Sequence, residues 1–301
     1  MKQNLCTITS NVEVMPDIHL MWIKTPNIAC SVLPGQFITV RCGDLTLRRP
    51  FSVHQSSPLT GKDSGDGEIA LLFKVTGKGT LWLSERQTGE GIDILGPLGE
   101  GFSIPPTKSG QSKHLLLVAG GIGIAPLVLL MQYASSQHQI TLIHGASTAN
   151  QLYPFSSLSL SPNPSPLGGE GKGEGEERSS LATPPTGVQF IPVTEDGSMG
   201  KKGMVTDILP DFLDWADQVY ACGPLEMYEA MAEMSLPALS IAEGRSDLKL
   251  RKCQVSLEVR MGCGFGACYG CTINTNQGLK QVCHDGPVFE LDDIIWQEVR
   301  I

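Results

Sequence analysis

The sequence is poor in basic residues and has no uninterrupted apolar run long enough to cross a membrane. Lys and Arg together number 22 against 31 Asp and Glu, which gives a net charge of −9 at pH 7. This balance argues against a nucleic-acid partner, because neutralising phosphates requires a basic face. The longest apolar run, 115–131, is interrupted by three glycines and a proline, so it predicts a buried strand, turn and helix.

The N-terminus also lacks the apolar region of a secretory signal, so we expect a reducing, cytoplasmic compartment. Five of the nine cysteines lie far apart in the sequence and are expected to be free thiols, not a disulfide framework. They are Cys6, Cys30, Cys42, Cys222 and Cys253. The length of 301 residues allows two or three domains.

The other four cysteines lie within 21 residues near the C-terminus and form the most informative pattern in the chain. Cys263, Cys268, Cys271 and Cys283 have the spacing Cys-x4-Cys-x2-Cys-x11-Cys. This is the plant-type spacing for a [2Fe–2S] cluster held by four thiolates. Zinc is the alternative, although a zinc site usually has two Cys-x2-Cys hooks and only one is present here. Buried structural cysteines are less favoured still, since they would not cluster in this way.

Glycines alternate with these cysteines at positions 262, 264, 266 and 270. Because glycine has no Cβ, we expect the loop to pass close to the sulfurs of a cluster. The same freedom would let backbone N–H groups point at those sulfurs and tune the reduction potential.

Changes in composition along the chain predict three domains. Residues 1–107 contain short β-type runs separated by turns, which is typical of an antiparallel β-barrel. Residues 108–247 alternate apolar strands with helices and predict a doubly wound α/β domain. Within it, the Ser-, Pro- and Gly-rich tract 156–185 predicts a disordered insertion. Residues 248–301 predict a small cluster-binding module whose stability depends on its metal.

Two motifs in the N-terminal region are compatible with a flavin site. In the first, Arg49 can bind a pyrophosphate with its planar guanidinium, Phe51 can lie against a flat ring, and Ser52 can hydrogen-bond a ring nitrogen. In the second, Gly79 and Thr80 belong to a Gly-x-Gly-Thr turn that can bring backbone N–H groups to a phosphate. An ordinary glycine hairpin with a capped helix is an equally good interpretation of the second motif alone.

Two further motifs indicate a dinucleotide site in the α/β region. The first has the glycines and proline of a tight strand-to-helix turn, namely Gly120, Gly121, Gly123 and Pro126. The second follows a later strand, at the sheet edge where ligands bind, and comprises Cys222, Gly223 and Pro224. Cys222 is predicted either to face a nicotinamide ring or to be a small buried cysteine. The run 145–150 has no Arg or Lys to hold a 2′-phosphate, which favours NAD over NADP.

Taken in order, these four motifs resemble the ferredoxin–NADP reductase superfamily. The cysteine pattern, closed by the residues at 283–289, narrows the resemblance to the electron-transfer subunits of NAD-dependent dihydroorotate dehydrogenases of class 1B. The resemblance covers the whole chain except the tract at 156–185. Phe51 stands where Tyr is common in the superfamily, which preserves stacking but removes a hydroxyl.

The resemblance implies that the barrel binds FAD and that the second domain binds NAD. The residues implied to contact FAD are Arg49, Pro50, Phe51, Ser52, Leu72, Phe73, Lys74, Gly79 and Thr80. It also implies a catalytic partner subunit with FMN, in an assembly with two copies of each chain, and a place in pyrimidine (UMP) biosynthesis. The alternatives are an NAD(P)H:ferredoxin reductase, the diaphorase subunit of a hydrogenase, and a non-enzymatic iron–sulfur sensor.

Overall fold

Two seven-stranded sheets and one two-stranded hairpin contain the strands of the chain that the structure describes. This computed structural model describes residues 2–57, 67–107, 112–155, 187–235 and 252–299. The predicted insertion at 156–185 and the predicted domain boundary near 248 lie outside these ranges. In the described part of the chain, no helix is long and apolar enough to pass through a bilayer.

The first sheet is antiparallel throughout and is formed by the N-terminal region. Its strands are β1 (Lys2–Met15), β2 (Ile18–Lys24), β3 (Phe37–Val40), β4 (Arg49–Ser52), β5 (Gln55–Ser57), β6 (Glu68–Lys74) and β7 (Gly91–Leu98), with helices α1 (Pro26–Ala29) and α2 (Lys78–Ser84). The strand order is β4-β3-β7-β1-β2-β6-β5. Every second residue of β7 is buried, because only one face of the strand packs on the core. The antiparallel barrel prediction is confirmed, and the pairing order leaves the barrel open at β4 and β5.

The second sheet is parallel except at one edge and has helices packed against it. It contains β8 (His114–Gly120), β9 (Gln139–Ala146), β10 (Val188–Thr194), β11 (Lys201–Lys202), β12 (Gln218–Cys222), β13 (Cys253–Ser256) and β16 (Val288–Glu290), with α3 (Ile124–Ala134), α4 (Val205–Ile208), α5 (Pro210–Leu213) and α6 (Leu225–Ser235). The order is β11-β10-β9-β8-β12-β13-β16, in which only β16 is antiparallel. The interior of β8 is wholly buried, as expected for a central strand covered on both faces. The doubly wound prediction is confirmed.

The C-terminal segment is built into this second sheet. Its first and last strands, β13 and β16, extend the sheet, and the cysteine loop is a long excursion between them. The excursion contains the hairpin of β14 (Thr272–Thr275) and β15 (Gly278–Gln281), followed by α7 (Val282–Asp285). Trp296 stacks on Tyr228 of α6 with ring centroids 5.2 Å apart. A segment of this length has too little core of its own, so it packs on its neighbour and does not depend on the metal alone.

Two buried histidines hold the loops of the second domain in place, and one of them also connects the two large sheets. His54, which follows β4, contacts the Ala125 carbonyl oxygen through Nδ1 and the Tyr153 hydroxyl through Nε2, both at 2.8 Å. His144 on β9 contacts the Gly121 carbonyl oxygen through Nε2 at 3.0 Å. Burial lowers the pKa of each imidazole to about 4, although the hydrogen bond to a carbonyl oxygen opposes this shift.

These pKa values predict that acid destabilises the protein. Between pH 6.5 and about 4 the unfolded histidines bind protons and the folded ones do not. The free energy of unfolding should therefore fall with decreasing pH, by up to about 1.4 kcal/mol per pH unit for each histidine. Burial raises the pKa of the Glu258 and Glu290 carboxyls, so these two groups bind protons more readily in the folded state and oppose the effect.

Urea unfolding of the cofactor-loaded protein between pH 7.5 and 5.5, followed by tryptophan fluorescence, measures this slope. A variant with His54→Gln and His144→Gln should have a flatter pH dependence. An unchanged slope in that variant would assign the acid sensitivity to other groups.

Candidate functional site

Backbone N–H groups surround the four clustered cysteines and point at their sulfurs. Cys263 Sγ accepts hydrogen bonds from the amides of Phe265 at 3.5 Å and Ala267 at 3.2 Å. Cys283 Sγ accepts one from Gly266 at 3.1 Å. Two more reach the sulfurs of Cys268 and Cys271 at 3.4 Å each. The loop therefore presents thiolate-stabilising donors to all four sulfurs, as a cluster site requires.

The four thiols are arranged as two pairs. The Cys263 and Cys268 thiols are hydrogen-bonded, as are the Cys271 and Cys283 thiols, and Cys263 interacts with Cys283 only electrostatically, across the two pairs. Among the described residues no group of three or more potential ligands is arranged around a single ion. Two pairs suit two iron atoms, each with two protein ligands, whereas structural zinc takes four ligands around one ion.

The pKa values of two of these thiols show that a positively charged group is needed for all four to be deprotonated together. Burial raises the pKa of Cys263, but hydrogen bonds from the amides of Phe265, Cys268 and Ala267 outweigh it and lower that pKa to about 6. Burial and the adjacent Cys271 thiol instead raise the pKa of Cys283 to about 12. Crowded thiols resist joint deprotonation, and bound iron would overcome that resistance. The donor set therefore fits the predicted cluster.

At two of the four loop glycines an added Cβ would approach a sulfur. It would lie 3.1 Å from Cys268 Sγ at position 262 and 3.5 Å from the same sulfur at position 270. Gly264 and Gly266 have positive φ values of 79° and 88°, and their added Cβ atoms would meet Thr39 and His284 respectively. These two glycines thus serve the loop's turns and its contact with β3, a role beyond the predicted approach to the sulfurs.

A groove of about 400 Å³ lies between the first sheet and the C-terminal segment. The predicted flavin residues that line it are Pro50, Phe51, Ser52, Leu72, Phe73, Lys74 and Thr80. Arg49 lies across Gly79, where a Cβ would come within 3.0 Å of the Arg49 side chain. Arg48 forms a 2.7 Å ion pair with Asp93, while Arg49 has no carboxylate partner among the described residues. The charge of Arg49 is therefore available for a phosphate, which fits FAD.

The Thr80 hydroxyl is already used within its own turn. It accepts hydrogen bonds from the amides of Thr76 and Gly77 at 2.9 and 3.1 Å. It thereby closes the turn that leads into α2.

The flavin groove is also lined by C-terminal residues that the sequence did not indicate. They are Leu257, Glu258, Val259, Arg260, Met261 and Pro287.

A second cavity, of about 820 Å³, lies at the carboxyl edge of the parallel sheet. It is lined by Gly120, Gly121, Gly123, Gly223 and Pro224, as the dinucleotide prediction requires. A Cβ at Gly123 would lie 2.1 Å from the Cys222 carbonyl oxygen, and one at Gly120 would lie 2.6 Å from Pro224. These glycines let the two predicted motifs pack against each other.

Two predicted dinucleotide residues do not line this cavity. Pro126 is buried in the first turn of α3. Cys222 is fully buried beneath the cavity, and burial raises the pKa of its thiol well above the usual value. Tyr228 orders the turn above it, because its hydroxyl accepts from the Gly223 amide at 2.9 Å and donates to the Ser256 carbonyl oxygen at 2.7 Å. The buried alternative for Cys222 thus agrees with the structure better than a nicotinamide contact.

Three acidic residues line the cavity; Glu226 follows the Cys-Gly-Pro motif closely, and the other two had no signal in the sequence. Glu195 follows β10 and accepts a 2.8 Å hydrogen bond from the Ser147 hydroxyl, and both residues line the cavity. Glu258 lines this cavity and the flavin groove alike, as does Ile122. Burial by the surrounding protein raises the pKa of the Glu258 carboxyl, although the side chain faces the open cleft. Neither residue belongs to a local motif, so only the fold brings them here.

Comparison with known proteins agrees with this geometry. The family described as the iron–sulfur cluster binding domain of dihydroorotate dehydrogenase B matches residues 258–295. A Desulforamulus reducens protein named dihydroorotate dehydrogenase B (NAD(+)), electron transfer subunit, is 33% identical over 298 residues, covering 94% of this chain and 95% of that protein. The chain belongs to this family of electron transfer subunits. A Bacillus mycoides member with the same name is 32% identical and covers 98% of each chain.

Solved structures show the same architecture. A NADH-dependent reduced ferredoxin-NADP oxidoreductase, described in relation to flavin-based electron bifurcation, has a TM-score of 0.71 and 25% identity, covering 98% of this chain and 91% of that one. A ferredoxin NADP+ reductase from Neisseria gonorrhoeae with bound FAD and NADP has a TM-score of 0.55 at 16% identity, covering 77% and 90%, and supports the fold alone. The predicted iron–sulfur cluster of this electron transfer subunit is confirmed, and the zinc alternative is wrong.

Cys268 and Cys253 offer a matched test of the cluster ligands. Cys268 is exposed, so Cys268→Ser should abolish the cluster without disturbing a buried core. Iron and acid-labile sulfide should be lost, and hydrogen exchange should increase in the loop 257–287 but not in β13. Cys253→Ser, on β13 outside the loop, should retain the cluster. Full iron and sulfide in the Cys268 variant would contradict the ligand assignment.

Glu195 should make the electron transfer subunit prefer NADH over NADPH. Its carboxylate lies in the cavity, where it would repel a ribose 2′-phosphate and accept from a ribose hydroxyl. Glu195→Gln should lower the NADH-to-NADPH ratio of kcat/KM by about three- to tenfold, a modest change because water screens the charge. Flavin reduction followed at 450 nm measures it, with Glu233→Gln on α6 as the control. An equal ratio in all three proteins would remove Glu195 from recognition.

Proposed function

We propose that this chain carries electrons between NAD and a dihydroorotate dehydrogenase catalytic subunit, through FAD and a [2Fe–2S] cluster, in pyrimidine biosynthesis. One observation carries the proposal, namely that the three sites adjoin one another in the order required. Ile122 and Glu258 line both the dinucleotide cavity and the flavin groove. Pro287, which follows Cys283 after the short helix α7, lines the same flavin groove.

A single strand separates the flavin groove from the cysteine loop. Thr39 on β3 pairs with Pro50 on β4, and Pro50 lines the groove. On the other side, Thr39 lies so close to Gly264 that a Cβ there would come within 2.8 Å of its methyl group. This contact supports a short distance between the flavin groove and the cysteine loop.

The chemistry follows from what each cofactor supplies when bound. FAD accepts a hydride as two electrons and releases electrons singly, whereas a [2Fe–2S] cluster takes one at a time. The chain's own residues bind and orient these groups. Arg49 provides the charge for the FAD phosphates, Phe51 and Ser52 line the ring side of the groove, and the backbone amides of the cysteine loop stabilise the thiolates.

The catalytic partner would dock where the cysteine loop is exposed. Cys268 is exposed, and so are the apolar side chains of Phe265 and Tyr269 in the same loop, at 43% and 71%. Leu279 on the following hairpin is 71% exposed. Exposed large apolar side chains beside a redox centre suit a protein partner more than solvent. We infer that the FMN and the orotate site belong to that partner, in an assembly with two copies of each chain.

None of the nine cysteines forms a disulfide bond, which supports a reducing compartment, and we propose the cytoplasm.

The electron route is tested with Cys271→Ser, which removes one of the two buried ligands. This variant, with FAD retained, should oxidise NADH when a small dye takes electrons from the flavin. Mixed with the FMN-containing catalytic subunit from the same organism, it should couple dihydroorotate oxidation to NAD reduction at under a hundredth of the native rate. Cys253→Ser is the control and should remain near native.

Near-native coupling by the Cys271 variant would take the cluster off the route. A native chain that binds no such catalytic subunit, yet reduces ferredoxin with NADH, would instead favour a ferredoxin reductase.

A further inference from the structure

His144 lies directly beneath the glycine turn of the dinucleotide cavity, and both of its ring nitrogens are hydrogen-bonded. Nδ1 lies 3.3 Å from the Tyr153 backbone nitrogen, and Nε2 lies 3.0 Å from the Gly121 carbonyl oxygen. A backbone N–H can only donate, so Nδ1 must be the acceptor. Nε2 therefore carries the proton and donates it to the Gly121 carbonyl. The surroundings fix one neutral tautomer.

This bond determines the direction of the next peptide group. The Gly121–Ile122 peptide is trans, so its carbonyl and the Ile122 N–H point in opposite directions. With the carbonyl directed at His144 below, the Ile122 N–H is directed away from His144, and Ile122 lines the cavity. Gly121 has a φ of 54°, and an added Cβ would meet nothing within 4 Å. Glycine is therefore needed for backbone conformation and not for space.

A second histidine secures the other end of the same turn. His54 accepts from the Tyr153 hydroxyl and donates from Nδ1 to the Ala125 carbonyl oxygen in α3. His54, Tyr153 and His144 are 0%, 1% and 0% exposed, and no charged side chain is bonded to any of them within the described residues. The turn is thus held to β9 at Gly121 and to the flavin-binding sheet at Ala125.

We propose that His144 is a positioning residue for dinucleotide binding, which acts by directing the Ile122 amide toward the pyrophosphate of the ligand. The proposal rests on the dinucleotide site proposed above and adds the residue that sets its turn. Gly121 also accepts from the Ile124 amide, so the turn would persist without His144, with its peptide less well fixed. Binding of a pyrophosphate should therefore weaken, and the fold should remain.

Three variants separate this role from general core packing. His144→Leu removes both ring nitrogens, whereas His144→Gln keeps a donor near the position of Nε2. His138→Leu is the matched control, because His138 is also buried, accepts from the Lys113 amide at 3.2 Å and bonds the Pro105 backbone. It precedes β9, at the opposite edge of the sheet from the cavity.

Binding is measured by calorimetry on the FAD- and cluster-loaded protein with ADP-ribose, which has a pyrophosphate, and with adenosine, which has none. His144→Leu should raise the Kd for ADP-ribose by about three- to tenfold, the range for one net hydrogen bond, and leave adenosine unchanged. His144→Gln should recover most of the affinity, and His138→Leu should bind as wild type. Flavin and cluster absorbance check that each variant is folded.

Wild-type affinity for ADP-ribose in a folded His144→Leu variant would overturn the inference, as would an equal loss in His138→Leu or in adenosine binding. If His144→Leu does not fold, the test rests on His144→Gln alone. A folded His144→Gln variant that binds ADP-ribose much more weakly than wild type would then reject the inference. Failure of the wild-type protein to bind ADP-ribose would instead overturn the proposed dinucleotide site.

Discussion

Backbone pairing between β12 and β13 determines where the cysteine loop can lie. Because the two strands are parallel, β13 ends at the same sheet edge as the Cys-Gly-Pro turn of β12. The chain therefore leaves the sheet at Leu257 and Glu258, beside both cavities, and makes its loop there. It returns through Pro287 into β16, which pairs back onto β13. A loop closed at both ends by one sheet can carry its cysteines only next to the flavin groove.

Both the cysteine loop and the dinucleotide turn form their binding sites mainly from backbone groups. The cysteine sulfurs are held by amides of their own loop, and the dinucleotide turn is formed by glycines that accept contacts no other residue tolerates. Gly123 against the Cys222 carbonyl is the closest of these contacts. Backbone donors of this kind are rigid once the turn is formed, so both sites are pre-organised for anionic partners.

The sequence predicted those features that depend on spacing along the chain. The cysteine pattern, the glycine turn at 120–126 and the strand alternation are local, and the fold and the cluster agree with them. Features that depend on the fold were missed. Glu195 and Glu258 reach their cavity only through the order of strands. For Cys222 the sequence left two interpretations open, and the buried one agrees with the structure because its strand is covered on both faces. Likewise, no local pattern indicates that β13 and β16 extend the sheet of the preceding domain.

The unequal burial of the cysteines has a consequence for the life of the subunit in a cell. Cys271 and Cys283 are protected by protein, but Cys268 is open to solvent and Cys263 is half-buried. An accessible ligand sulfur is where oxidants and chelators attack first. A subunit without its partner therefore leaves this ligand open to attack, and a catalytic subunit docked on the loop, as proposed above, would cover it. Under that proposal, an excess of this subunit over its partner would lose iron before the assembled enzyme did.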